Sequence, residues 1–224
     1  MNQASSEYGH TMTAADQGAG PDADQVGEAT SATTSERLAD AAISLIARDG
    51  FDALSVRRVA AEACVTGGTV QHHYPSKVEL TVAALDRTVQ RQTARVMALP
   101  TGGGGVVERF VDGLCAILPV DGPSMEEAVV WIAMSAAVPG HPFVAERQRH
   151  AATTTRRWIE TTVRLAQRNG EIGDDVDAAV VAPLIEAALD GMMQRVIADA
   201  ELHGEPGCRQ LRTMVGRLLL LEGV

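Results

Sequence analysis

The chain has 224 residues, of which 46% are hydrophobic but only 3% aromatic, and its formal net charge is −10. It is long enough for one large or two small domains, and its alanine-rich, aliphatic composition is typical of an all-α protein. The acidic net charge argues against a general affinity for nucleic acid, which requires a basic surface.

The charge is spread unevenly along the chain. Residues 1–33 contain five acidic residues and no Lys or Arg, residues 34–95 contain eight Lys or Arg against seven Asp or Glu, and residues 96–224 contain eleven against seventeen. Only the middle segment escapes the acidity. A nucleic-acid-binding surface, if the protein has one, is therefore expected there.

The N-terminal segment, residues 1–32, consists mostly of Gly, Ala, Ser, Thr, Asp and Gln. Such a segment cannot bury enough apolar surface to offset its conformational entropy, so we predict a disordered tail. The first helix is predicted to begin at a capping box formed by Thr33 and Glu36, and to end at Gly50.

Two short helices are predicted next. Ser55 is the expected N-cap of the second helix and Thr66 that of the third, which extends to about His73 because Pro75 cannot continue it. An apolar helix that braces a short helix bearing small and hydrogen-bonding side chains is the arrangement of a DNA-binding helix-turn-helix.

A fourth helix is predicted over residues 77–98 with Ser76 as its N-cap, and the Pro- and Gly-rich segment after it marks a domain boundary. Five more helices are predicted over residues 106–118, 124–138, 142–169, 176–202 and 206–222, which makes about nine in all. The last two carry broad apolar stripes that belong either to a dimer interface or to the core of the monomer. A helix-turn-helix reader needs two copies, so we favour a homodimer that forms through residues 176–222.

Several motifs between Leu38 and Leu80 occur in the order and spacing of one known family. They are Leu38-x-x-Ala41-Ala42, Gly50-Phe51, Ser55 to Ala60, and the Thr69-Val70-x-x-His73-Tyr74-x-Ser76-Lys77-x-x-Leu80 run. This segment resembles the TetR family of bacterial transcriptional regulators. The segments Trp131 to Pro139, Asn169 to Ile172 and Ala188 to Met192 resemble its BetI-type C-terminal domain, a subgroup that includes choline-responsive regulators.

The resemblance implies an all-α fold in two functional parts. An N-terminal three-helix helix-turn-helix DNA-binding domain would occupy residues 33–80, and a larger helical domain for ligand binding and dimerisation would occupy residues 81–224. Two residues depart from the family pattern. Gln71 stands where the family often has tyrosine, which leaves open whether this position contacts a phosphate or a base, and Cys64 stands where the family usually has glycine, which puts the geometry of the turn in question.

The resemblance also implies which residues meet DNA. Bases would be contacted by Arg57, by the backbone at Gly67 and Gly68, and by Gln71. Phosphates would be contacted by Thr69, His72, His73 and Lys77, and Ser55 and Thr66 complete the predicted DNA-binding set. The chemistry agrees, because Arg pairs with guanine and Gln with adenine, while hydroxyls, imidazoles and an ammonium suit phosphate oxygens.

An unknown small-molecule effector is expected to bind between the fourth and eighth helices. The candidate lining residues are Met97, Phe110, Cys115, Trp131, Met134, Phe143, Trp158 and Met192. Core packing is the alternative for each of them, and for any single residue it is the commoner explanation. Three of them, Trp131, Phe143 and Trp158, could surround a quaternary ammonium group.

These features predict a ligand-responsive DNA-binding transcriptional regulator, most simply a repressor that leaves its operator when a small molecule binds. The alternatives are a helical protein-interaction module or a regulator without a small-molecule ligand. The sequence has no nucleophile elbow, HExxH motif or Rossmann glycines, so we expect neither an enzyme nor a cofactor. His72 and His73 are adjacent and lack ligand partners at helical spacing, so we predict no metal site.

The three cysteines, Cys64, Cys115 and Cys208, lie far apart and form no CxxC pair. We predict free cytosolic thiols, with neither a disulfide nor a zinc site. No apolar run approaches the ~20 residues that a membrane span needs, and the N-terminus lacks a basic-then-apolar signal. The expected location is the cytoplasm, without a membrane partner.

Overall fold

The computed structural model describes the backbone of residues 23–100 and 102–219, and the side chains from residue 33 onward within those ranges. Over these residues the chain forms nine α-helices, three short 3-10 helices and no strand, which confirms the all-α prediction. The helices are α1 (Ala23–Asp49), α2 (Val56–Glu62), α3 (Gly67–His73), α4 (Lys77–Met97), α5 (Val106–Cys115), α6 (Gly122–Ala137), α7 (Pro142–Arg168), α8 (Ala178–Ala198) and α9 (Glu205–Leu218). None of the described helices combines the length and hydropathy that a membrane span requires.

Helix α1 begins ten residues earlier than predicted, at Ala23. Thr33 and Glu36 therefore lie inside the helix, and the capping box predicted at its start is wrong. No proline interrupts residues 23–49, so a nucleated helix extends at the gain of one backbone hydrogen bond per residue. Of the tail predicted to be disordered, residues 1–22 lie outside the described part of the chain. The helix ends as predicted, with Gly50 at φ 83° after Asp49.

The starts of the next three helices follow the predicted caps. In each, the side-chain oxygen of a Ser or Thr accepts a hydrogen bond from the backbone N–H three residues further on, as Ser55 does from Arg58, Thr66 from Thr69, and Ser76 from Glu79. The first backbone N–H groups of a helix have no carbonyl partner within it, and this hydrogen bond supplies a partner for one of them. Capping therefore fixes the boundaries of α2, α3 and α4.

The buried apolar side chains of residues 35–224, which form one unit, fall into two clusters. The head cluster joins α1, α2, α3 and the first half of α4 to Val130 and Met134 of α6 and to Val144 of α7. The body cluster joins α5, α7, α8 and α9. Trp131 of α6 packs against both clusters. Helix α6 is therefore shared between the two cores.

The apolar stripes of α8 and α9 face two ways. One side of them, which includes Leu189 and Leu211, is buried in the body cluster. The other side stays open in the single chain, where Val180, Leu184 and Met214 are exposed. The monomer's own core thus accounts for part of each stripe and leaves the remainder uncovered.

A disulfide joins Cys115 at the end of α5 to Cys208 in α9, with Cα atoms 5.3 Å apart. The prediction of three free thiols is wrong for these two residues. They are separated by 93 residues in sequence, so only the packing of α5 against α9 brings them together. Among the described residues Cys64 remains a free thiol, and it is exposed.

Candidate nucleic-acid interface

The turn between α2 and α3 contains a backbone conformation that side chains rarely adopt. Cys64 has φ 55°, in the left-handed region, and it is the one non-glycine residue with positive φ among those described. A non-glycine residue pays of order 1 kcal/mol for this conformation. Glycine, which the family pattern usually has at this position, adopts this conformation without that cost, so Cys64 holds the turn in a left-handed conformation at some strain.

Helix α3 is held to the rest of the head by one face. Val70 is fully buried in the head cluster. Thr66 and Thr69 bring their hydroxyl oxygens within 2.9 Å of each other across the first turn. At the other end, the Tyr74 hydroxyl donates a hydrogen bond of 3.1 Å to the Ser35 carbonyl in α1. These contacts fix the orientation of α3 without using its outward face.

The outward face of α3 is polar and almost bare near its start. Gly68, Gln71 and His72 are exposed, while Gly67, Thr69 and His73 are half-buried. A Cβ atom built at Gly67 would meet nothing within 4 Å, and one at Gly68 would meet only the Thr66 hydroxyl at 3.7 Å. No internal contact therefore requires these glycines. Their effect is to leave the backbone of the first turn open to an approaching surface.

The basic residues of the head divide into paired and unpaired side chains. Arg58 forms an ion pair with Asp49, and Arg48 forms one with Glu62 at 3.0 Å. The hydrogen bonds between Arg48 and Glu62 raise the pKa of the guanidinium and lower that of the carboxyl. These two arginines are already neutralised within the protein.

Arg57 and Lys77, in contrast, keep their charges available. Both are exposed, and neither has an acidic partner in the described part of the chain. The Lys77 ammonium lies 5.5 Å from the centre of the Phe51 ring, which orients the cation without neutralising it. Adjacent arginines in the sequence, Arg57 and Arg58, thus differ in availability, and sequence alone gave no sign of this difference.

The predicted DNA-binding residues therefore meet in one place, around α3 and the starts of α2 and α4. Ser55 and Thr66 engage their hydroxyls as helix caps, six of the other eight residues lie in α3 itself, and Arg57 and Lys77 lie in the first turns of α2 and α4. A short helix anchored by its inner face, with a bare polar outer face and two unpaired cations beside it, defines a helix-turn-helix DNA-binding protein with a helical body.

Comparison with known families agrees with this class. The profile of the tetR family of bacterial regulatory proteins matches residues 38–84, and that of the BetI-type transcriptional repressor C-terminal domain matches residues 106–220. The second match alone covers more than half of the chain. The chain belongs to the TetR family, with a BetI-type C-terminal domain.

Individual relatives cover most of the chain. It is 24% identical over 186 residues to the HTH-type transcriptional regulator UidR of Escherichia coli K12, which covers 83% of this chain and 93% of that one. The crystal structure of a transcriptional regulator from Rhodococcus sp. Rha1 superposes with a TM-score of 0.72 at 29% identity, over 83% of this chain and 96% of that one. A transcriptional regulator from Saccharomonospora viridis, solved in complex with choline, superposes with a TM-score of 0.67 at 24% identity, over 85% and 97%.

The eight predicted ligand-binding residues do not all surround one space. Phe110, Trp158 and Met192 belong to or pack against the body cluster, whereas Met134 and Phe143 belong to or pack against the head cluster. Cys115 is in the disulfide, Trp131 lies between the clusters, and Met97 is 71% exposed. Which of them contact a ligand stays a prediction.

One part of that prediction conflicts with the geometry. Phe143 and Trp158 lie on the same helix, α7, and Trp158 comes 15 positions after Phe143, which corresponds to roughly 22 Å at 1.5 Å per residue. A cation must lie within about 6 Å of each ring that it contacts. A single ammonium cannot touch both, so the three-ring cage with Trp131 is excluded. The Trp158 ring instead packs against Phe110, with centroids 5.2 Å apart.

Sequence reasoning missed a polar site in the middle of α8. Asp190 is half-buried, and burial together with the nearby Glu186 raises the pKa of its carboxyl. The Trp131 side chain forms a hydrogen bond with Asp190 that acts in the opposite direction. Glu186 in turn pairs with Arg156 at 2.7 Å. Two carboxylates four residues apart, in the otherwise apolar stretch of residues 178–193, were the signal in the sequence.

An open groove of about 440 Å³ lies beside α5 and α9, lined by Gly105, Val107, Glu108, Val111, Glu171, Arg212 and Gly216. It contains none of the eight predicted ligand-binding residues. Glu171 has a structural role there, because its carboxylate accepts hydrogen bonds from the backbone N–H groups of Val106 and Val107 at the start of α5.

Proposed function

We propose that this protein is a cytoplasmic, homodimeric transcriptional repressor that binds operator DNA through residues 33–80 and leaves it when a small molecule binds within residues 81–224. Family membership supports the general class. The observation that carries the proposal is the outer face of α3, where two glycines leave the backbone bare, together with the cations of Arg57 and Lys77, which have no acidic partner among the described residues.

Direct reading of bases would rest on few side chains. Gly67 and Gly68 let the first turn of α3 come close to the groove but contribute no side chain to it. Gln71 and Arg57 are the long hydrogen-bonding side chains that remain exposed on this surface. Each bidentate contact contributes about 1–3 kcal/mol of discrimination between bases. The operator should therefore be specified strongly at few positions in each half-site.

Selection of preferred sites from random DNA tests this proposal. Gln71→Ala and Arg57→Ala should each relax the preference at one position per half-site and leave nonspecific binding nearly intact. Arg58→Ala is the matched control, because Arg58 is already paired with Asp49 and should leave the selected site unchanged. Recovery of the wild-type site at full stringency by the Gln71 and Arg57 variants would show that DNA shape carries the specificity.

The same selection experiment also tests whether the glycines act by leaving room for the DNA. Gly68→Val adds bulk that holds α3 away from the bases and should abolish tight binding. Gly68→Ala is its control, since a single Cβ meets only the Thr66 hydroxyl at an ordinary contact distance. If wild-type protein selects no site at all, the helical interaction module is the better explanation of the fold.

A dimer would place two copies of α3 on successive half-sites. Two symmetric reading helices about 34 Å apart match one turn of DNA. The uncovered apolar side chains of α8 and α9, Val180, Leu184 and Met214, provide the surface, and pairing of these two helices with their copies would make a four-helix bundle. We therefore propose residues 176–222 as the dimer interface.

The effector is proposed to bind among α4 to α8, and choline is the first probe to test. A neighbour of the same fold from Saccharomonospora viridis was solved with choline. In this chain the Trp131 ring and the Asp190 carboxylate lie together, and an aromatic face beside an anion suits a quaternary ammonium. Choline should lower the operator affinity, because an effector must bind the released conformation better. If choline quenches tryptophan emission but operator binding is not lost, the proposed coupling is contradicted. If no small molecule has any effect, a regulator without a ligand is favoured.

A further inference from the structure

The disulfide between Cys115 and Cys208 lies at one end of the contact between α5 and α9. The two helices run antiparallel, since the next link pairs Asp112, before Cys115, with Arg212, after Cys208, at 2.8 Å. Further along, the contact opens into the groove beside α5 and α9. The outer side of this contact is therefore held by one covalent bond and one ion pair.

Other contacts hold α9 in place when the disulfide is open. Leu211 and Val215 are fully buried in the body cluster. The first turn of α9 also packs closely on the residues after α8, because a Cβ atom built at Gly207 would collide with the Leu202 carbonyl oxygen. None of these contacts involves a cysteine. We therefore expect the reduced protein to stay folded.

Both cysteines of the disulfide can be reached by a small reagent, because each is half-buried rather than enclosed in the core. Cys208 lies in the first turn of α9, where its N–H donates a hydrogen bond of 3.2 Å to the Gly204 carbonyl. The start of a helix favours an anion and so favours the thiolate, which is the reactive form of a cysteine. Cys208 is therefore the expected attacking group when the pair is reduced.

The proposed location gives this bond a meaning beyond stability. A cytoplasm keeps thiols reduced, and a disulfide that forms there is usually transient or redox-sensing. We propose that Cys115 and Cys208 are a reversible thiol–disulfide pair that makes dimerisation of this protein sensitive to oxidation. This proposal rests on the proposed function, which supplies both the cytoplasmic location and the dimer interface on α8 and α9.

The oxidant is a small-molecule disulfide, for which oxidised glutathione is the probe. The Cys208 thiolate attacks one of its sulfur atoms, so a mixed disulfide forms and one glutathione leaves as a thiolate. The Cys115 thiolate then attacks the Cys208 sulfur, which closes the internal bond and releases the second glutathione. Two electrons pass to the reagent, and the two protons that the cysteines lose are taken up by the two glutathione thiolates. Reduced glutathione in excess reverses both steps.

The bond acts on the helix that carries Met214 to the proposed interface. Met214 follows Cys208 by six positions, so it lies about 120° around α9 from it, and the bond is behind the interface rather than in it. When the bond is open, the Arg212–Asp112 ion pair remains on that side, and an exposed ion pair contributes little. Closing the bond fixes the first turn of α9 to α5, so α9 has less freedom to lose when two copies associate.

Sedimentation equilibrium of the full chain, in excess oxidised or excess reduced glutathione, tests the proposal. Mass spectrometry of alkylated protein should find the Cys115–Cys208 bond closed in the first buffer and open in the second, with the same helix content by circular dichroism. Reduction should raise the dimer dissociation constant about tenfold, because α9 is then less ordered before association. A bond that stays closed in the folded protein under excess reduced glutathione is a permanent cross-link and would overturn the proposal.

Two variants are the controls. Cys115→Ser cannot close the bond, so it should have the dissociation constant of the reduced protein in both buffers. Cys64→Gly removes the remaining thiol at a position of positive φ and should keep the full response. Equal dissociation constants of wild type in the two buffers contradict the proposal, as does a response that Cys115→Ser retains or Cys64→Gly loses. A chain that is monomeric in both buffers rules out the proposed dimer together with it.

Discussion

The hydroxyl of Tyr74 lies 2.6 Å from the hydroxyl oxygen of Ser35 and donates a hydrogen bond to the Ser35 backbone carbonyl. Tyr74 is the C-cap of the recognition helix α3, and Ser35 lies in α1, 39 residues earlier. This pair ties the end of the recognition helix to the first helix of the head. The other anchor of α3 is Val70, an apolar side chain buried in the head cluster. It holds α3 against the core but does not orient the helix along its length.

Removal of the Tyr74 hydroxyl should therefore loosen the recognition helix. Tyr74→Phe keeps the ring and should lower the free energy of unfolding by about 1 kcal/mol, because it deletes a partly buried hydrogen bond. Operator affinity should fall together with stability. A double-mutant cycle with Ser35→Ala measures the interaction, and fully additive effects in that cycle would show that the two hydroxyls do not act together.

Lys77 should contribute a phosphate contact rather than a base contact. Lys77→Ala should weaken binding to all DNA sequences alike and reduce the slope of log affinity against log salt by about one. Titrations of labelled operator and of unrelated DNA at several salt concentrations provide the measurement. Arg168→Ala removes an exposed charge at the far end of α7 and should leave the slope unchanged. An unchanged slope in Lys77→Ala would remove this residue from the interface.

The proposed dimer interface is best tested at side chains that the monomer leaves exposed. Leu189 is unsuitable, because it is 4% exposed and a charge there would disrupt the body cluster. Leu184 and Met214 are 48% and 42% exposed, so Glu at both positions should leave the monomer folded. The double variant should sediment as a monomer, since two charges would lie in a desolvated interface. The control is Val120→Glu, at an exposed position before α6, which should remain a dimer. If the double variant is still a dimer, the interface lies elsewhere.

Glu171 should make the stability of the C-terminal part depend on pH. Hydrogen bonds from Val106 and Val107 hold the pKa of its carboxyl below the ordinary value. Because the pKa is lower in the folded state, the ionised carboxyl stabilises the fold when the pH is above the ordinary pKa of about 4.3. This stabilisation is lost as the pH falls through the lowered pKa of the folded protein.

Glu171→Gln should therefore lower Tm by about 3 °C at neutral pH, because an amide offers one acceptor to two N–H donors. The difference from wild type should shrink as the pH falls through the lowered pKa, because the native carboxyl then becomes protonated as well. Thermal unfolding over a series of pH values from neutral downwards measures it. Asp174→Asn changes an exposed acid in the same turn and should show neither effect, and a pH-independent difference for Glu171→Gln would contradict the assigned cause.

Local features of the sequence predicted much of the head. Ser55, Thr66 and Ser76 marked helix starts because a cap acts on backbone groups three residues away, within reach of sequence patterns. Pro75 and Gly50 marked helix ends for equally local reasons. The start of α1 was misplaced, because a good cap at Thr33 says nothing of whether helix continues before it.

By itself the sequence determined the all-helical fold, the helix-turn-helix and the family, since these follow from hydrophobic spacing, caps and a motif contained in about 45 residues. Tertiary structure alone decided the Cys115–Cys208 disulfide and the availability of Arg57 beside a neutralised Arg58. Each of these depends on which helix faces lie opposite each other. A periodic pattern shows that a face is buried, but it does not name the residues that the face meets.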